Sequence, residues 1–62
     1  RKFARRSIYA KQDIKKGEKL SFDNLIPKRP GTGISPKFLK KLIGKKVKKT
    51  IKGDTQIKKK YF

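Results

Sequence analysis

Arg29 is the residue of this chain whose type and setting best fit a chemical role. The 62 residues include 17 lysines but only four arginines, and three of those arginines lie within the first six positions. Arg29 stands apart, in the sequence Lys28-Arg29-Pro30-Gly31-Thr32-Gly33. The proline restricts the local backbone, so the side chain is presented from a pre-organised turn. Its planar guanidinium suits carbonyl or carboxylate oxygens better than an ammonium does, although an arginine taken alone is most often a solvated surface charge.

No other group of residues has the spacing of a catalytic or metal site. The chain has neither cysteine nor histidine, so its serines have no imidazole partner to activate them. The carboxylates are too few and too scattered for an acid–base pair or a metal site: Asp13, Glu18, Asp23 and Asp54. The aromatic residues fit core or half-buried packing better than stacking: Tyr9, Phe22, Phe38 and Tyr61. We predict no catalytic residue, metal ligand or cofactor in this chain, which is therefore not an enzyme by itself.

The net charge of +17 invites comparison with disordered chains and with nucleic-acid-binding proteins. Disorder is disfavoured because the apolar residues fall at regular positions between turn signals. Nucleic-acid binding is disfavoured because the lysines occur on every segment rather than in one stripe, and because no arginine-rich helix or paired aromatic motif is present. A solvated lysine shell explains the charge better.

Short apolar segments between turn signals predict a mainly β fold. A strand is expected at residues 7–10 and another beginning at residues 25–27, where the proline restricts it to an edge or a bulge. Between them, Gly17 can supply a positive φ. Ser21 is a good N-cap for a single helical turn at residues 22–24.

One short helix is expected from Ser35 to Ile43, bracing the Arg29 turn from behind. Ser35 caps it, the following proline takes the first helical position, and Gly44 marks its end. Four apolar residues at i, i+1, i+4 and i+5 predict one buried face: Phe38, Leu39, Leu42 and Ile43.

The chain also contains an internal repeat. The pattern Ile14-x5-Leu20-x4-Leu25 recurs without a gap as Ile51-x5-Ile57-x4-Phe62, and the turn residues Gly17-Glu18 recur approximately as Gly53-Asp54. Each half would bury little alone, so we expect the two to pair around a pseudo-twofold axis and share one core.

The length allows one domain, residues 1–62, with residues 1–5 expected to be the remnant of a linker from a longer enzyme. No apolar run approaches the roughly 18 residues of a membrane span. The start, Arg1-Lys2, lacks the apolar region of a signal peptide, so we expect a cytoplasmic location and no membrane partner.

These elements resemble a known family. The chain resembles the C-terminal antifreeze-like (SAF) domain of sialic acid (N-acetylneuraminate) synthases, a domain related to fish type III antifreeze proteins. The resemblance rests on five segments: residues 6–10, 13–18, 23–25, 28–36 and 42–46. The Lys-Arg-Pro-Gly-x-Gly-Ile element beginning at Lys28 is specific to the synthases, whereas Asp-Ile-x-x-Gly-Glu beginning at Asp13 is shared across the wider family.

The resemblance implies a β-clip fold of short strands and single helical turns. It further implies an enzyme that condenses phosphoenolpyruvate with N-acetylmannosamine or a related hexosamine, in a (β/α)8 barrel that uses divalent Mn or Mg. In that family the antifreeze-like domain covers the mouth of the partner subunit's barrel in a domain-swapped homodimer. The family arginine contacts the sugar, a role that carries over to Arg29, with Pro30, Gly31 and Gly33 setting the geometry of the turn. The fish proteins hold a cis proline there, so a cis Arg29–Pro30 bond is one of two alternatives.

Other functions remain as alternatives. A SAF module also occurs in pilus or flagellar chaperones and in sugar-acid dehydratases, and a small basic nucleic-acid-binding protein is a third reading. Ice binding is improbable, because the stretch that would form a flat, uncharged face, residues 12–21, carries five charged side chains. Sialic, legionaminic and pseudaminic acid synthases share this architecture, so the sequence leaves the product open.

Overall fold

The structure, a computed structural model, describes residues 5–62. Two strands run over Ser7–Ala10 (β1) and Leu25–Lys28 (β2). A 3-10 turn over Pro36–Phe38 leads into a short helix over Leu39–Leu42 (α1), and a second 3-10 turn spans Lys59–Tyr61. This mainly β arrangement of short strands and single helical turns confirms the predicted β-clip. Within residues 5–62, no helix has the length and apolar character needed to cross a bilayer. Apart from residue 5, the expected linker remnant lies outside the described residues.

The two strands pair antiparallel, with Ile8 opposite Pro27. The backbone N–H of Ile8 donates to Ile34 O and its carbonyl accepts from Ile57 N, both at 2.9 Å, so Ile8 exchanges no ladder bond with the proline. The absent N–H of Pro27 therefore leaves no gap in the β1–β2 ladder. The prediction that proline confines this segment to an edge is confirmed, because β2 has β1 as its neighbour on one side of the sheet only.

A pseudo-twofold axis relates the two halves of the chain, as the repeat predicted. Ile14 and Ile51 lie across this axis and exchange reciprocal backbone hydrogen bonds, both of 2.7 Å. Both side chains are fully buried. Reciprocal bonding between equivalent residues is what a twofold arrangement of two antiparallel segments requires.

Adding 37 to a residue number in the first half gives the equivalent residue in the second half, as for Ile14 and Ile51. Equivalent residues make equivalent backbone hydrogen bonds. Ala10 N donates to Thr55 O at 2.9 Å, and its equivalent Val47 N donates to Glu18 O at 2.9 Å. The correspondence extends to the bridges Tyr9↔Gln56 and Lys46↔Lys19 and to several further bonds. The two halves, residues 8–25 and 45–62, thus repeat one backbone pattern.

The turns of the two halves align differently from the sequence prediction. In these two turns, the residues with left-handed backbone are Gly17, at φ +91°, and Asp54, at φ +63°. Adding 37 to the residue number makes Asp54, and not Gly53, the equivalent of Gly17. Gly53 thus precedes the position equivalent to the first-turn glycine by one residue. An aspartate can occupy this position because Asp and Asn tolerate left-handed backbone better than other side chains. Gly53 N instead donates to Asp13 Oδ1 at 2.7 Å.

The turn predicted after Ser21 is present as one hydrogen-bonded turn over residues 22–24, closed by Asn24 N donating to Ser21 O at 3.3 Å, rather than as a helix. Ser21 Oγ accepts from Asp23 N at 3.2 Å, and Asn24 Oδ1 accepts from Ser21 N at 2.8 Å. The buried Asn24 also donates through Nδ2 to Lys19 O at 3.0 Å. Ser21 and Asn24 therefore cap the turn reciprocally, with Asn24 in the place that Glu or Gln takes in a capping box.

One apolar core joins both halves and the helix. Its buried members are Ile8, Ala10, Ile14, Leu20, Leu25, Leu42, Val47, Ile51 and Ile57. Partly buried side chains pack around this core: Ile34, Leu39, Ile43, Tyr61 and Phe62.

The helix begins and ends where the sequence predicts, but its first turn differs. Ser35 Oγ accepts from Lys37 N at 3.4 Å, and Gly44 follows the helix with φ +92°. The first turn is 3-10 rather than α-helical, and Phe38 is its last residue, at the border of the face that contains the buried Leu42. The burial predicted for Phe38 is wrong, since it is 39% exposed. The packing role predicted for Phe22 is also wrong, since that side chain is 61% exposed.

Candidate functional site

Arg29 lies immediately after β2, at the start of a connection that we call the Arg29 turn (residues 29–34). The Arg29–Pro30 peptide is cis. The Arg29 side chain is exposed, and no hydrogen bond or ion pair joins its guanidinium to another of residues 5–62. Within the described part of the chain, all of its N–H donors are available to an external oxygen.

The Arg29 turn is fastened to β1 through the carbonyl of Pro30. Tyr9 Oη donates to Pro30 O at 3.0 Å, and Ser7 Oγ lies 3.3 Å from the same oxygen. Both donors are buried, with Ser7 at 0% and Tyr9 at 8% exposure. Since Ser7 and Tyr9 are two apart on a strand, their side chains share one face and reach the same acceptor. The Pro30 carbonyl is thus held by the buried Tyr9 hydroxyl, while the single proton of the Ser7 hydroxyl can be donated either to this carbonyl or to Gln56 Oε1 at 3.0 Å.

Gln56 connects the Arg29 turn to the second half of the chain. Its Oε1 lies 3.0 Å from Ser7 Oγ, and its Nε2 donates to Thr32 Oγ1 at 2.9 Å. The Thr32 hydroxyl is also within 3.1 Å of Gln56 Oε1. Together with the bond from Ile8 N to Ile34 O, these contacts restrain the turn near its beginning, middle and end.

Two glycines let the turn approach its supports closely. A Cβ on Gly31 would lie 2.6 Å from the backbone carbon and oxygen of Arg6 and 2.7 Å from the backbone carbon of Arg5. A Cβ on Gly33 would lie 2.7 Å from Gln56 Oε1. Any side chain at position 31 would displace backbone, whereas one at position 33 would displace the end of a flexible side chain.

The surroundings of the turn are strongly basic. A cleft of about 390 Å³ beside it is lined in part by Arg5, Arg6 and Lys37. Lys28 behaves differently, because its Nζ lies 2.6 Å from Asp54 Oδ1 and 5.5 Å from the centre of the Tyr9 ring. Of the two neighbouring cations, Lys28 is therefore paired with a carboxylate of the chain, whereas Arg29 has no such pair among residues 5–62.

The structure brings the four residues named from the sequence into one turn: Arg29, Pro30, Gly31 and Gly33. Whether Arg29 contacts substrate stays a prediction. The side-chain hydrogen bonds that hold the turn come from Ser7, Tyr9 and Gln56, whereas the sequence predicts that the helix braces it. Alternation on β1 could have pointed to Ser7 and Tyr9. Gln56 could have been found as the residue that replaces Lys19 in the second repeat.

The carboxylates do not form a site for the divalent metal that the resemblance implies. Asp54 pairs with Lys28, Asp13 accepts from Gly53 N, and Glu18 accepts from Lys15 N at 2.8 Å. Within residues 5–62, no three carboxylates are grouped as metal ligands would be. The described residues thus do not fit such an ion, and we assign this chain no step that uses one.

Comparison with known proteins shows which family the chain resembles. The model of the SAF domain family matches residues 5–62. The chain is 53% identical over 47 residues to the pseudaminic acid synthase of Campylobacter jejuni (strain NCTC 11168), an alignment covering 76% of this chain and 14% of that protein. It is 46% identical over 54 residues to the N,N'-diacetyllegionaminic acid synthase of the same organism, covering 87% of this chain and 16% of that protein.

A solved structure agrees with the chain over nearly its whole length. The solution structure of an antifreeze protein like domain, from the human N-acetylneuraminic acid phosphate synthase gene, superposes with a TM-score of 0.88. The two share 32% sequence identity, and the match covers 95% of this chain and 76% of that one. By contrast, the chain spans only 13 to 17% of the length of the curated relatives that it matches.

Proposed function

Because the chain belongs to the SAF domain family, we propose that it serves as the antifreeze-like domain of a sialic-acid-type synthase. The relatives named above support this proposal, since they are synthases of pseudaminic and legionaminic acid. The reaction, the condensation of phosphoenolpyruvate with a hexosamine, then belongs to a (β/α)8 barrel outside these 62 residues, together with its Mn or Mg ion. A cytoplasmic location is part of the same proposal.

In this proposal the domain covers the mouth of the partner subunit's barrel in a homodimer, and Arg29 contacts the hexosamine. The observation that carries it is an exposed guanidinium whose supporting turn is held by buried Ser7 and Tyr9. A guanidinium can donate two parallel hydrogen bonds to a carbonyl or to neighbouring hydroxyl oxygens of a sugar. Because the turn is already ordered, less conformational entropy is lost when the sugar binds.

The test is Arg29→Ala in the full-length protein, with steady-state kinetics for each substrate. Hydrogen bonds from a charged donor contribute about 1.5–3 kcal/mol, so we expect kcat/KM for the hexosamine to fall roughly 10- to 100-fold. The KM for phosphoenolpyruvate and the dimer, measured by light scattering, should not change. Arg29→Lys should recover only part of the loss, because an ammonium cannot form the planar pair of bonds.

Lys49→Ala is the matched control, since it removes one exposed positive charge outside the turn. Equal effects of the Lys49 and Arg29 variants would mean that only the overall charge matters. Unchanged hexosamine kinetics in Arg29→Ala would remove the role assigned to Arg29, whereas a full-length protein without hexosamine-condensing activity would favour a SAF module from another kind of protein.

A further inference from the structure

A groove that adjoins the end of the Arg29 turn at Gly33 and Ile34 has a chemistry that the Arg29 side chain does not use. It has a volume of about 980 Å³ and lies between the helix and the C-terminal 3-10 turn. Its apolar floor consists of Ile34, Phe38, Leu42, Ile57 and Phe62. Its rim consists of Lys37, Lys41, Lys45, Lys58 and Lys59. We call it the lysine-rimmed groove.

Among residues 5–62, no ion pair joins a lysine of this groove to an aspartate or a glutamate. The ammonium groups of Lys37 and Lys41 lie 5.4 and 5.5 Å from the centre of the Phe38 ring, and that of Lys45 lies 6.0 Å from the Phe62 ring. None of the residues that line the groove is an aspartate or glutamate. Five like charges around an apolar floor repel one another, and an anionic partner with an apolar centre would relieve both the repulsion and the exposure of the floor.

We propose that the lysine-rimmed groove docks an acidic protein segment that inserts aliphatic side chains onto its floor. Its volume is at the upper end of the roughly 300–1,000 Å³ of small-ligand pockets, enough for a few side chains of a short helix or extended segment. Carboxylates flanking those side chains would meet the rim lysines, so apolar burial supplies affinity and charge supplies orientation.

The shape and chemistry of the groove favour a protein over two other anionic partners. A nucleic acid bound without sequence preference stacks bases on open aromatic faces, but ammonium groups lie over the rings of Phe38 and Phe62. A membrane surface is flat on this scale, whereas the partly exposed rings of Phe38 and Phe62 line a concavity. Neither a nucleic acid nor a membrane surface would cover the apolar floor of the groove as an inserted aliphatic side chain would.

The test measures binding of two synthetic peptides to the chain, whose solved relative was studied as a domain in solution. The first peptide is a glutamate-rich amphipathic 14-mer with leucines spaced to share one helical face, and the second replaces each leucine by glutamine. At about 0.15 M salt, which screens long-range attraction, we expect the leucine peptide to bind at least about tenfold more tightly. Its amide shift changes should concentrate at Ile34, Leu42 and Phe62.

Matched charge reversals locate the site. Lys41→Glu with Lys45→Glu should weaken binding of the leucine peptide by about tenfold or more. Lys11→Glu with Lys52→Glu changes the net charge equally at exposed positions outside the groove and should weaken binding less than about threefold. Amide spectra of both variants verify that the fold is retained.

Three outcomes overturn the proposal. Equal weakening by the two double variants would mean attraction by net charge alone, and equal binding of the two peptides would mean that the apolar floor is not used. Tighter binding of single-stranded poly(U) or of phosphatidylserine vesicles than of the leucine peptide, with shift changes at the same residues, would assign the groove to a nucleic acid or a membrane.

Discussion

Gly31→Ala tests whether the Arg29 turn is held by contact with backbone. The new methyl carbon would lie 2.6 Å from the backbone carbon and oxygen of Arg6, whereas carbon atoms in contact are most favourably about 3.5–4.0 Å apart. Roughly 1 Å of movement must therefore be absorbed by the Arg29 turn or by the segment preceding β1. No side chain can move away to accommodate it, because the obstructing atoms are main chain.

The expected cost is large for a domain of this size. Overpacking by one methyl group costs about 1–3 kcal/mol, and a core this small supplies only about 3–5 kcal/mol of stability. With an m-value of about 1 kcal/mol/M in urea, a loss of 2 kcal/mol lowers the unfolding midpoint by about 2 M. The same loss lowers Tm by about 8–16 °C.

Gly33→Ala is the matched comparison, because its obstruction is the Oε1 atom of Gln56 at 2.7 Å. The Gln56 side chain can rotate away and lose its bond to Thr32, while Ser7 keeps Pro30 O within 3.3 Å as an acceptor. We expect a cost of about 1 kcal/mol, the net contribution of one or two such hydrogen bonds.

Gln56→Ala separates the two mechanisms. In that background Gly33→Ala should cost almost nothing, because the remaining neighbour, Ile57 O, is at an ordinary 3.5 Å. Gly31→Ala should keep its full cost, because Gln56 does not obstruct it. Urea unfolding followed by far-UV circular dichroism gives the free energy of unfolding of the unchanged chain, of the three single variants and of the two double variants. The reasoning fails if Gly31→Ala costs no more than Gly33→Ala, or if the cost of Gly33→Ala persists without Gln56.

The remaining predictions concern the repeat. Gly17→Ala should lower the free energy of unfolding by about 1 kcal/mol, because its φ of +91° is unfavourable for alanine although no atom lies within 4 Å of the new Cβ. Asp54→Asn should change the free energy of unfolding by less than about 0.5 kcal/mol, because the Lys28–Asp54 ion pair is largely exposed and Asn tolerates left-handed backbone. A larger loss in Asp54→Asn than in Gly17→Ala, measured by urea unfolding, would contradict this. Ile14→Val and Ile51→Val should each cost about 0.5–1.5 kcal/mol and agree within about 0.5 kcal/mol, because the two side chains occupy equivalent buried positions. Clearly unequal midpoints would mean that the twofold relation holds for the backbone but not for the packing.

Local signals in the sequence account for much of the fold. The first strand has the predicted bounds, and Gly17 has the positive φ expected of a turn glycine. Ser21 and Ser35 cap the turns that follow them. Each of these features depends on chemistry within a few residues, where a single sequence is most informative.

The errors arise where geometry depends on distant residues or on the exact helix type. α-Helical spacing from Phe38 to Ile43 predicts one buried face, but the first turn is 3-10 and Phe38 remains 39% exposed. Gln56 was missed as a support of the Arg29 turn because it lies 24 residues from Thr32 and 49 from Ser7. The residues next to Gln56 do not indicate those contacts, and only the comparison of the two repeats, in which Gln56 replaces Lys19, singles this residue out.

The candidate site depends on side chains that break the symmetry of the repeat. The bridge between Tyr9 and Gln56 corresponds, under the twofold relation, to the bridge between Lys46 and Lys19. The backbone pairing is the same, but only the first bridge carries side chains that bond to the Arg29 turn, whereas the second carries two exposed lysines. Because the repeated backbone supplies the shared core, these positions are free to differ. The Arg29 turn is therefore held beside the Tyr9–Gln56 bridge, where side chains bond to it, and not beside the Lys46–Lys19 bridge, where none of the described side chains does.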